Sequence, residues 1–450
     1  MFKTLKNAWK TPELQKKLLF TLFIVLLYRL GACICVPFVT DSLANDFQSF
    51  YGESVLGLMS IFSGGAMQYA TLFALSVSPY ITASIVIQLL TVAIPPLERL
   101  AKNGAEGQKK INTITRFVTI ALAVITSIGY SMLLKNGNGS GTSWLVIPEG
   151  IPEWFVMLVV NASFCAGASL VMWLAEMIND KGIGNGISII LFANIISQLP
   201  SLAQQMITGL FGSATAPHWA WGVLIAIGIL VVVIAAVFFV VWVTNSERRI
   251  PIQYAKRVVG RKMYGGQSTN LPIKLNMSGV MPIIFASSIV SIPATITAFI
   301  PAGKWQGFKD FVESFLAPTS WLYLVLFLVL TVAFSYFYIM ISFNPVEVAN
   351  NINSNGGAIP GHRPGKATVQ YINRILKRIT LIGAFFLCII AGVPMLVMVI
   401  ISAVPTVNLS FLAPLTFSGS SLLIVVGVVL ETIRDIEAQL SLRASKGFLN

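Results

Sequence analysis

Two short stretches contain residues that could bind a phosphate or a nucleotide, and neither fits. Residues 360–367 read PGHRPGKA and look like the end of a P-loop, but Pro360 stands in place of the first glycine and Ala367 replaces the Ser or Thr that would hold magnesium. The GIGNG stretch at 182–186 does not follow a strand, so it favours the beginning of a helix over a dinucleotide fingerprint. We therefore predict no cofactor and no enzymatic activity.

The remaining residues that could do chemistry are few and dispersed. The two histidines, His218 and His362, are far apart in the sequence, which argues against a metal site. All 17 acidic residues fall in loops or at helix ends, whereas an ion-coupled transporter usually places an ionisable group near the membrane midplane. Four cysteines lie in apolar runs, and we interpret them as small core residues without a disulfide or metal role: Cys33, Cys35, Cys165 and Cys388.

The elements that carry these residues are membrane helices. The chain has 450 residues, of which 56% are hydrophobic and 10% charged, and several nearly uncharged runs reach the roughly twenty residues that cross a bilayer. We predict one all-α, polytopic membrane domain over 1–450, with a retained first helix. Ten transmembrane helices are expected at 18–37, 72–94, 115–134, 154–175, 186–199, 219–243, 279–300, 321–343, 378–400 and 418–433.

Charge fixes the orientation of these helices. With the N-terminus in the cytosol, all but four of the 30 Lys and Arg residues fall in cytosolic segments or at their helix ends; the exceptions are Lys135, Lys304, Lys309 and Arg29. Both termini are then cytosolic. We interpret Arg29, within the first span, as a structural cation near the outer face. Ten helices can divide into two five-helix halves of opposite orientation, although the sequence shows no clear internal repeat.

Two cytosolic loops are basic. Residues 244–278 alternate apolar and polar positions on both sides of a Gly-Gly pair, which predicts a hairpin that projects from the membrane. Residues 344–377 form a Gly/Pro-rich loop that leads into a basic helix start.

Four long motifs of the chain are specific: SVSPYITASIVIQLL (76–90), MWLAEMINDKGIGNGISIILFANI (172–195), QSTNLPIKLNMSGVMPIIFASSI (267–289) and INRILKRITLIGA (372–384). Through these motifs the chain resembles one family, SecY, the channel-forming subunit of the Sec protein translocase. The shorter IPGHRPG (359–365) and FSGGA (62–66) also match, and the resemblance covers nearly the whole chain. The short tail, RASKGFLN, lacks the longer basic extension of some members.

The resemblance implies two inverted five-helix halves, 1–211 and 212–450, around an hourglass pore. It also implies that residues 54–68 fold back as a re-entrant half-helix, the plug. SVLGLMSIF (54–62) would span only about 14 Å as a helix, under half the bilayer, and glycine suits a hinge after it. The plug residues are Leu56, Leu58, Met59, Ile61, Phe62, Gly64 and Gly65.

The resemblance further assigns an aliphatic pore ring, which would resist ion leak because it is narrow and apolar. Its residues are Val77, Ile81, Ile187, Leu191, Ile284 and Ile424. Val77 and Ile81, like Ile187 and Leu191, are four residues apart and therefore share a helix face. A lateral gate between helices two and seven would use small or polar side chains that are equally suited to ordinary packing: Thr82, Ser84, Gln88, Ser287, Ser288 and Ser291.

The basic loops resemble the family's docking surface for the SecA ATPase and the ribosome, although topology and anionic lipids also favour such clusters. The docking residues are Arg248, Arg249, Lys256, Arg257, Arg261, Lys262, Arg363 and Lys366. Implied partners are SecE, SecG, SecA, the ribosome, signal-bearing preproteins and lipids, in a bacterial cell membrane. The expected function is a protein-conducting channel that releases apolar segments laterally. The alternatives are a small-solute secondary transporter and a non-transporting scaffold.

Overall fold

The protein is built mainly from long helices. The computed structural model describes residues 9–40, 42–44, 46–47, 55–137, 143–211, 219–254, 257–259, 262–264, 268–299, 306–317, 320–403 and 413–446. The helices up to the middle of the chain are α1 (Pro12–Gly31), α2 (Val55–Phe62), α3 (Ser78–Ala93), α4 (Pro95–Lys102), α5 (Gly104–Asn136), α6 (Glu153–Lys181) and α7 (Gly186–Phe211).

The second part of the chain combines helices with a small sheet. Its helices are α8 (Trp219–Asn245), α9 (Met281–Phe299), α10 (Gln306–Phe315), α11 (Trp321–Ser342), α12 (Pro345–Ser354), α13 (Lys366–Ala403) and α14 (Ala413–Lys446). Its strands are β1 (Glu247–Tyr254), β2 (Arg257–Val259), β3 (Lys262–Tyr264), β4 (Ser268–Lys274) and β5 (Gly357–Ala358).

Each of the ten predicted spans falls on one of these helices. Within the described residues, six helices are long and apolar enough to cross a membrane, or seven if α3 and α4, which meet at a 101° bend, form one broken span. The exact number of ten therefore remains a prediction. The α8 span has a mean hydropathy of 3.1 and only 11% of it is buried, which is typical of a helix that faces lipid on most sides.

Several predicted boundaries were wrong. The first helix begins at Pro12, six residues early, because proline is well accommodated in the first turn of a helix. The fifth and tenth helices are not short: α7 continues past Pro200, and α14 runs to Lys446 because charged residues end a membrane span without ending a helix. Likewise, α13 begins at Lys366 and not at 378.

The shifted first helix also corrects two interpretations. Cys33 and Cys35 are exposed and not in the core, because α1 ends at Gly31 and both cysteines lie in the segment that follows it. Arg29 lies in the last turn of α1 and not in the middle of that helix, where the predicted span had placed it.

A three-stranded sheet joins the two basic loops. Strands β1 and β4 are antiparallel, with Ile250 opposite Leu271, so the predicted hairpin is confirmed. Residues 344–377, predicted as a Gly/Pro-rich loop that leads into a basic helix start, also contain α12 and β5, and β5 pairs with the free edge of β1. Ile250, Ile252 and Ile273 are buried with α12 and the start of α13, so the two loops share one apolar core.

Candidate functional site

A half-open cavity lies where α2 meets the ends of several long helices, with about 1050 Å³ of empty space that includes the solvent at its mouth. On one side it is lined by Leu56, Met59 and Phe62 of α2. Its other walls include Ile81 of α3, Leu191 of α7 and Ile284 of α9, together with parts of α5 and α11. The short helix that the sequence assigned to the plug therefore shares one cavity with three of the six residues assigned to the ring.

The ring residues are aliphatic and mostly buried. Val77, Ile81, Leu191, Ile284 and Ile424 are each no more than 6% exposed, and Ile187 is partly buried. Five belong to one apolar cluster and Ile187 packs against it. A cluster of this size also contains ordinary core residues, so membership in the ring remains a prediction.

Local sequence features determine where α3 and α7 begin, and these helix starts position the two pairs of ring residues that are four residues apart. Pro79 lies in the first turn of α3, and the Ile81 amide donates to the Val77 carbonyl at 2.9 Å, so these residues stack one turn apart. Before α7, the Asn185 side chain accepts from the amide of Ile187 at 3.0 Å. This cap confirms that GIGNG introduces a helix.

The gate residues bond within their own helices. Thr82 donates to the Ser78 carbonyl at 3.0 Å. Ser287 and Ser288 both donate to the Ile284 carbonyl, at 2.9 and 2.8 Å. Gln88 donates to Ser84 at 3.4 Å, and Ser291 donates to the Ser288 carbonyl at 2.8 Å. Helix α9 contacts both α3 and α5, and these bonds would survive separation of the helices.

The plug helix spans eight residues, Val55–Phe62, and packs against α7 and α9. It ends in a Schellman motif, in which the amides of Gly65 and Gly64 donate to the carbonyls of Ser60 and Ile61 at 2.9 and 3.1 Å. Gly64 has φ of +69° and Gly65 has φ of +83°. Glycine adopts such positive φ angles without steric cost, which explains why it occupies both positions. Of the plug residues, Leu56 is buried, Met59, Ile61 and Phe62 are partly buried, and the Leu58 side chain lies outside the described part.

A buried polar network contacts the end of the plug, and sequence reasoning missed it. The Asn194 side chain of α7 donates to the Phe62 carbonyl at 2.8 Å, and it lies 3.0 Å from the Tyr28 hydroxyl and 3.2 Å from Ser76 Oγ. Tyr28 and Ser76 are themselves 3.2 Å apart. An asparagine within an apolar span was the available signal, since polar side chains there are costly.

The docking residues are only partly described. Arg248 and Arg249 are exposed on β1, and the Arg249 side chain donates to Glu247 at 2.8 Å. Arg363 and Lys366 lie after β5, where Thr368 donates to the Arg363 carbonyl at 2.9 Å and fixes the loop to α13. Lys256 and Arg261 lie outside the described residues, as do the side chains of Arg257 and Lys262.

Two groups outside the predicted spans have shifted pKa values with clear local causes. A hydrogen bond from Lys102 lowers the pKa of Glu98 in α4. Burial, followed by the nearby charge of Arg434, lowers the pKa of Lys274 at the end of β4. Within the described ranges, no group of three or more His, Cys, Asp or Glu residues could hold a metal ion.

The comparisons with known proteins decide the family. The family model described as SecY matches residues 71–433. The chain is 41% identical over 456 residues to the protein translocase subunit SecY of Streptomyces scabiei, with 100% of both chains covered. The chain belongs to the SecY family.

Solved structures agree with this fold. A SecY structure described by how its plug domain stabilises the closed state of the translocation channel matches with a TM-score of 0.61 at 18% identity, covering 94% of this chain and 92% of that one. Sec61 in the canine ribosome-channel complex matches with a TM-score of 0.56 at 15% identity, covering 94% and 92%.

Membership in the SecY family confirms three predictions: a helical, multi-pass membrane protein, a protein-conducting channel, and a subunit that is not an enzyme. The small-solute transporter alternative is not supported.

Proposed function

We propose that this chain is the channel subunit through which unfolded preproteins cross a bacterial cell membrane, and from which apolar segments leave sideways into lipid. The observation that carries this proposal is the shared cavity, in which apolar side chains of the plug helix face residues of α3, α7 and α9. A short helix inside protein at membrane depth is tolerated because its backbone groups are satisfied there.

The six ring residues form the constriction: Val77, Ile81, Ile187, Leu191, Ile284 and Ile424. Branched aliphatic side chains offer no ligands to replace the hydration shell of an ion, so a narrow ring of them resists ion flow. The same side chains have no hydrogen bonds to break when an extended polypeptide pushes between them. Ion exclusion and passage of a protein chain are therefore compatible in one ring.

The lateral gate opens between α3 and α9. Because Thr82, Ser287 and Ser288 bond to carbonyls of their own helices, parting the gate leaves these hydroxyl groups satisfied. A polar group that has no hydrogen bond in hydrocarbon costs roughly several kcal/mol. Because these hydroxyl groups keep their hydrogen bonds, the free-energy cost of opening toward lipid is lower. A hydrophobic signal segment then competes mainly against apolar packing between the helices.

The cytosolic sheet and the loop after β5 form the docking surface for an energy source. The exposed arginines at 248, 249 and 363, with Lys366, suit ribosomal RNA phosphates or acidic side chains of a SecA-type ATPase. A structural relative is bound to a ribosome, as the canine complex is described. SecE and SecG are the expected membrane partners. No cofactor is needed, because the reaction that supplies energy takes place in the docked partner.

The same proposal fixes the topology. Both termini and the two basic loops lie in the cytosol, since the Lys and Arg residues concentrate there. The chain divides into the halves 1–211 and 212–450, which part around the pore.

Reconstitution tests this function. Vesicles that contain the full chain with SecE should protect a signal-bearing preprotein from added protease when SecA and ATP are present. The same preprotein without its signal segment is the matched control and should stay accessible. Equal protease sensitivity of both, with the chain correctly inserted, would contradict the proposal.

A further inference from the structure

The last carbonyl of the plug helix depends on a different helix for its hydrogen bond. The carbonyls of Met59, Ser60 and Ile61 accept amides of the turn that follows them. The Phe62 carbonyl instead accepts the Asn194 amide at 2.8 Å. The end of the plug is therefore tied to α7 by a side chain that is fully buried.

The same asparagine joins the plug to two further segments. Its amide group also lies within 3.0 Å of the Tyr28 hydroxyl in α1 and 3.2 Å of Ser76 Oγ, just before α3. Two amide hydrogens serve three acceptors, and a Tyr28–Ser76 contact of 3.2 Å closes the network. In a low-dielectric interior such bonds are strong, and a member left without its partners is costly.

One part of this network opposes closure. Arg29 Nη1 and Asn194 Oδ1 are buried, and neither has a hydrogen-bond partner among the described residues. A Cβ atom added at Gly64 would lie 2.9 Å from Arg29 Nη1 and 2.8 Å from Asn194 Oδ1. Burying an unpaired donor and an unpaired acceptor is unfavourable, and moving the plug away would relieve that cost.

We propose that Tyr28, Ser76 and Asn194 form a polar latch that holds the plug in the closed pore, and that the buried Arg29 beside this latch limits how strongly the plug is held. Asn194 is its positioning residue, because it alone bonds to the plug backbone in this network. The hydrogen bond to Phe62 favours the closed position, while the unpaired Arg29 and Asn194 atoms keep that position easy to leave. This inference rests on the proposed channel function and adds the residues that regulate it.

Single-channel conductance measures the latch directly. In bilayers with the full chain and its partner subunits, Asn194→Ala should raise the open probability in the absence of preprotein about fivefold to thirtyfold. This range corresponds to leaving the Phe62 carbonyl unpaired, reduced by the loss of the unpaired Asn194 oxygen. The matched control is Asn161→Ala, since Asn161 also lies in a spanning helix, but its bonds, to the Met157 carbonyl at 2.8 Å and from Ser131 at 3.1 Å, do not involve the plug. Equal open probabilities for the two variants would overturn the latch.

A second variant approaches the same contact from the plug. Gly64→Ala places a methyl group against Asn194 and Arg29 and should also raise the open probability. Gly150→Ala controls for backbone strain, because Gly150 has a positive φ of +96° but open space around it. If one contact is involved, the double variant of positions 64 and 194 should resemble the stronger single variant. Multiplying effects would show independent sites and contradict the proposal.

Deleting the plug helix separates failure of the latch from failure of the channel. If the deletion raises conductance and Asn194→Ala does not, the latch is wrong and the channel stands. If the deletion also leaves conductance unchanged, the proposed plug and pore fail, and the latch fails with them. A raised conductance in both supports the latch.

Discussion

A single methyl group on α6 should displace the segment that carries both the plug and the gate helix. A Cβ added at Gly167 would stand 1.8 Å from the Leu72 carbonyl oxygen, whereas a Cβ at Gly228 in α8 meets nothing within 4 Å. Real Cβ atoms essentially never approach closer than 3.0 Å, so the Leu72 backbone or α6 must shift by at least 1.2 Å, the difference between 3.0 and 1.8 Å. The Leu72 backbone N–H donates a hydrogen bond to the Ile34 carbonyl at 2.8 Å, so Leu72 cannot move alone.

The expected cost follows from these distances. Alanine in place of a helical glycine gains up to about 1 kcal/mol at both positions, whereas overpacking against fixed backbone costs about 1–3 kcal/mol at position 167 alone. Gly167→Ala should therefore be less stable than Gly228→Ala by about 1–3 kcal/mol. The temperature of half-unfolding of the purified chain in detergent measures this difference. Equal values for the two variants would refute the close approach of α6 to Leu72.

Three further perturbations test the ring, the plug contacts and the docking surface. Ile284→Ser should raise ion conductance, because a hydroxyl wets the constriction, whereas Ile227→Ser on the exposed face of α8 should leave conductance unchanged. Tyr130→Phe removes the hydroxyl that donates to the Met67 carbonyl at 2.5 Å and should lower stability by about 1–3 kcal/mol, measured by thermal unfolding. Arg363→Glu should weaken SecA or ribosome binding most at low salt, measured by co-sedimentation with inverted membranes.

Each of these perturbations has an informative comparison. Tyr336→Phe removes a hydroxyl whose bond, 3.4 Å to Lys377, is exposed, and its stability should change by less than about 0.5 kcal/mol. A loss as large as that of Tyr130→Phe would refute the buried bond. Arg363→Lys keeps the charge and should retain most of the binding, so equal losses in both variants would refute a role for charge at this position.

Hydropathy was enough to locate the helices, because a run of about twenty apolar residues is typical of a transmembrane helix. It could not locate their ends. The charged turns of α13 and α14 continue outside the apolar runs, and Pro200 lies inside α7 without ending it. These boundaries depend on what each helix packs against beyond the membrane.

Contacts between distant segments were the least predictable part. The pairing of β5 with β1 joins residues more than one hundred positions apart, and nothing in Gly357–Ala358 indicates a strand. In the sequence, Asn194 is an isolated polar residue, and its hydrogen bond to the Phe62 carbonyl is visible only in the folded structure. Ring and plug positions were available from the family resemblance, whereas the latch depends on side chains that meet only in three dimensions.

The central claim is that a translocating polypeptide passes between the ring residues. A photo-crosslinking side chain placed singly at Ile81, Leu191 or Ile284 should capture a preprotein that is stalled in transit, whereas the same probe at Ile227 of α8 should capture none. Capture at all three ring positions and its absence at 227 is the predicted result. Capture at 227 with none at the ring, while the stalled chain is protected from protease, would contradict the account.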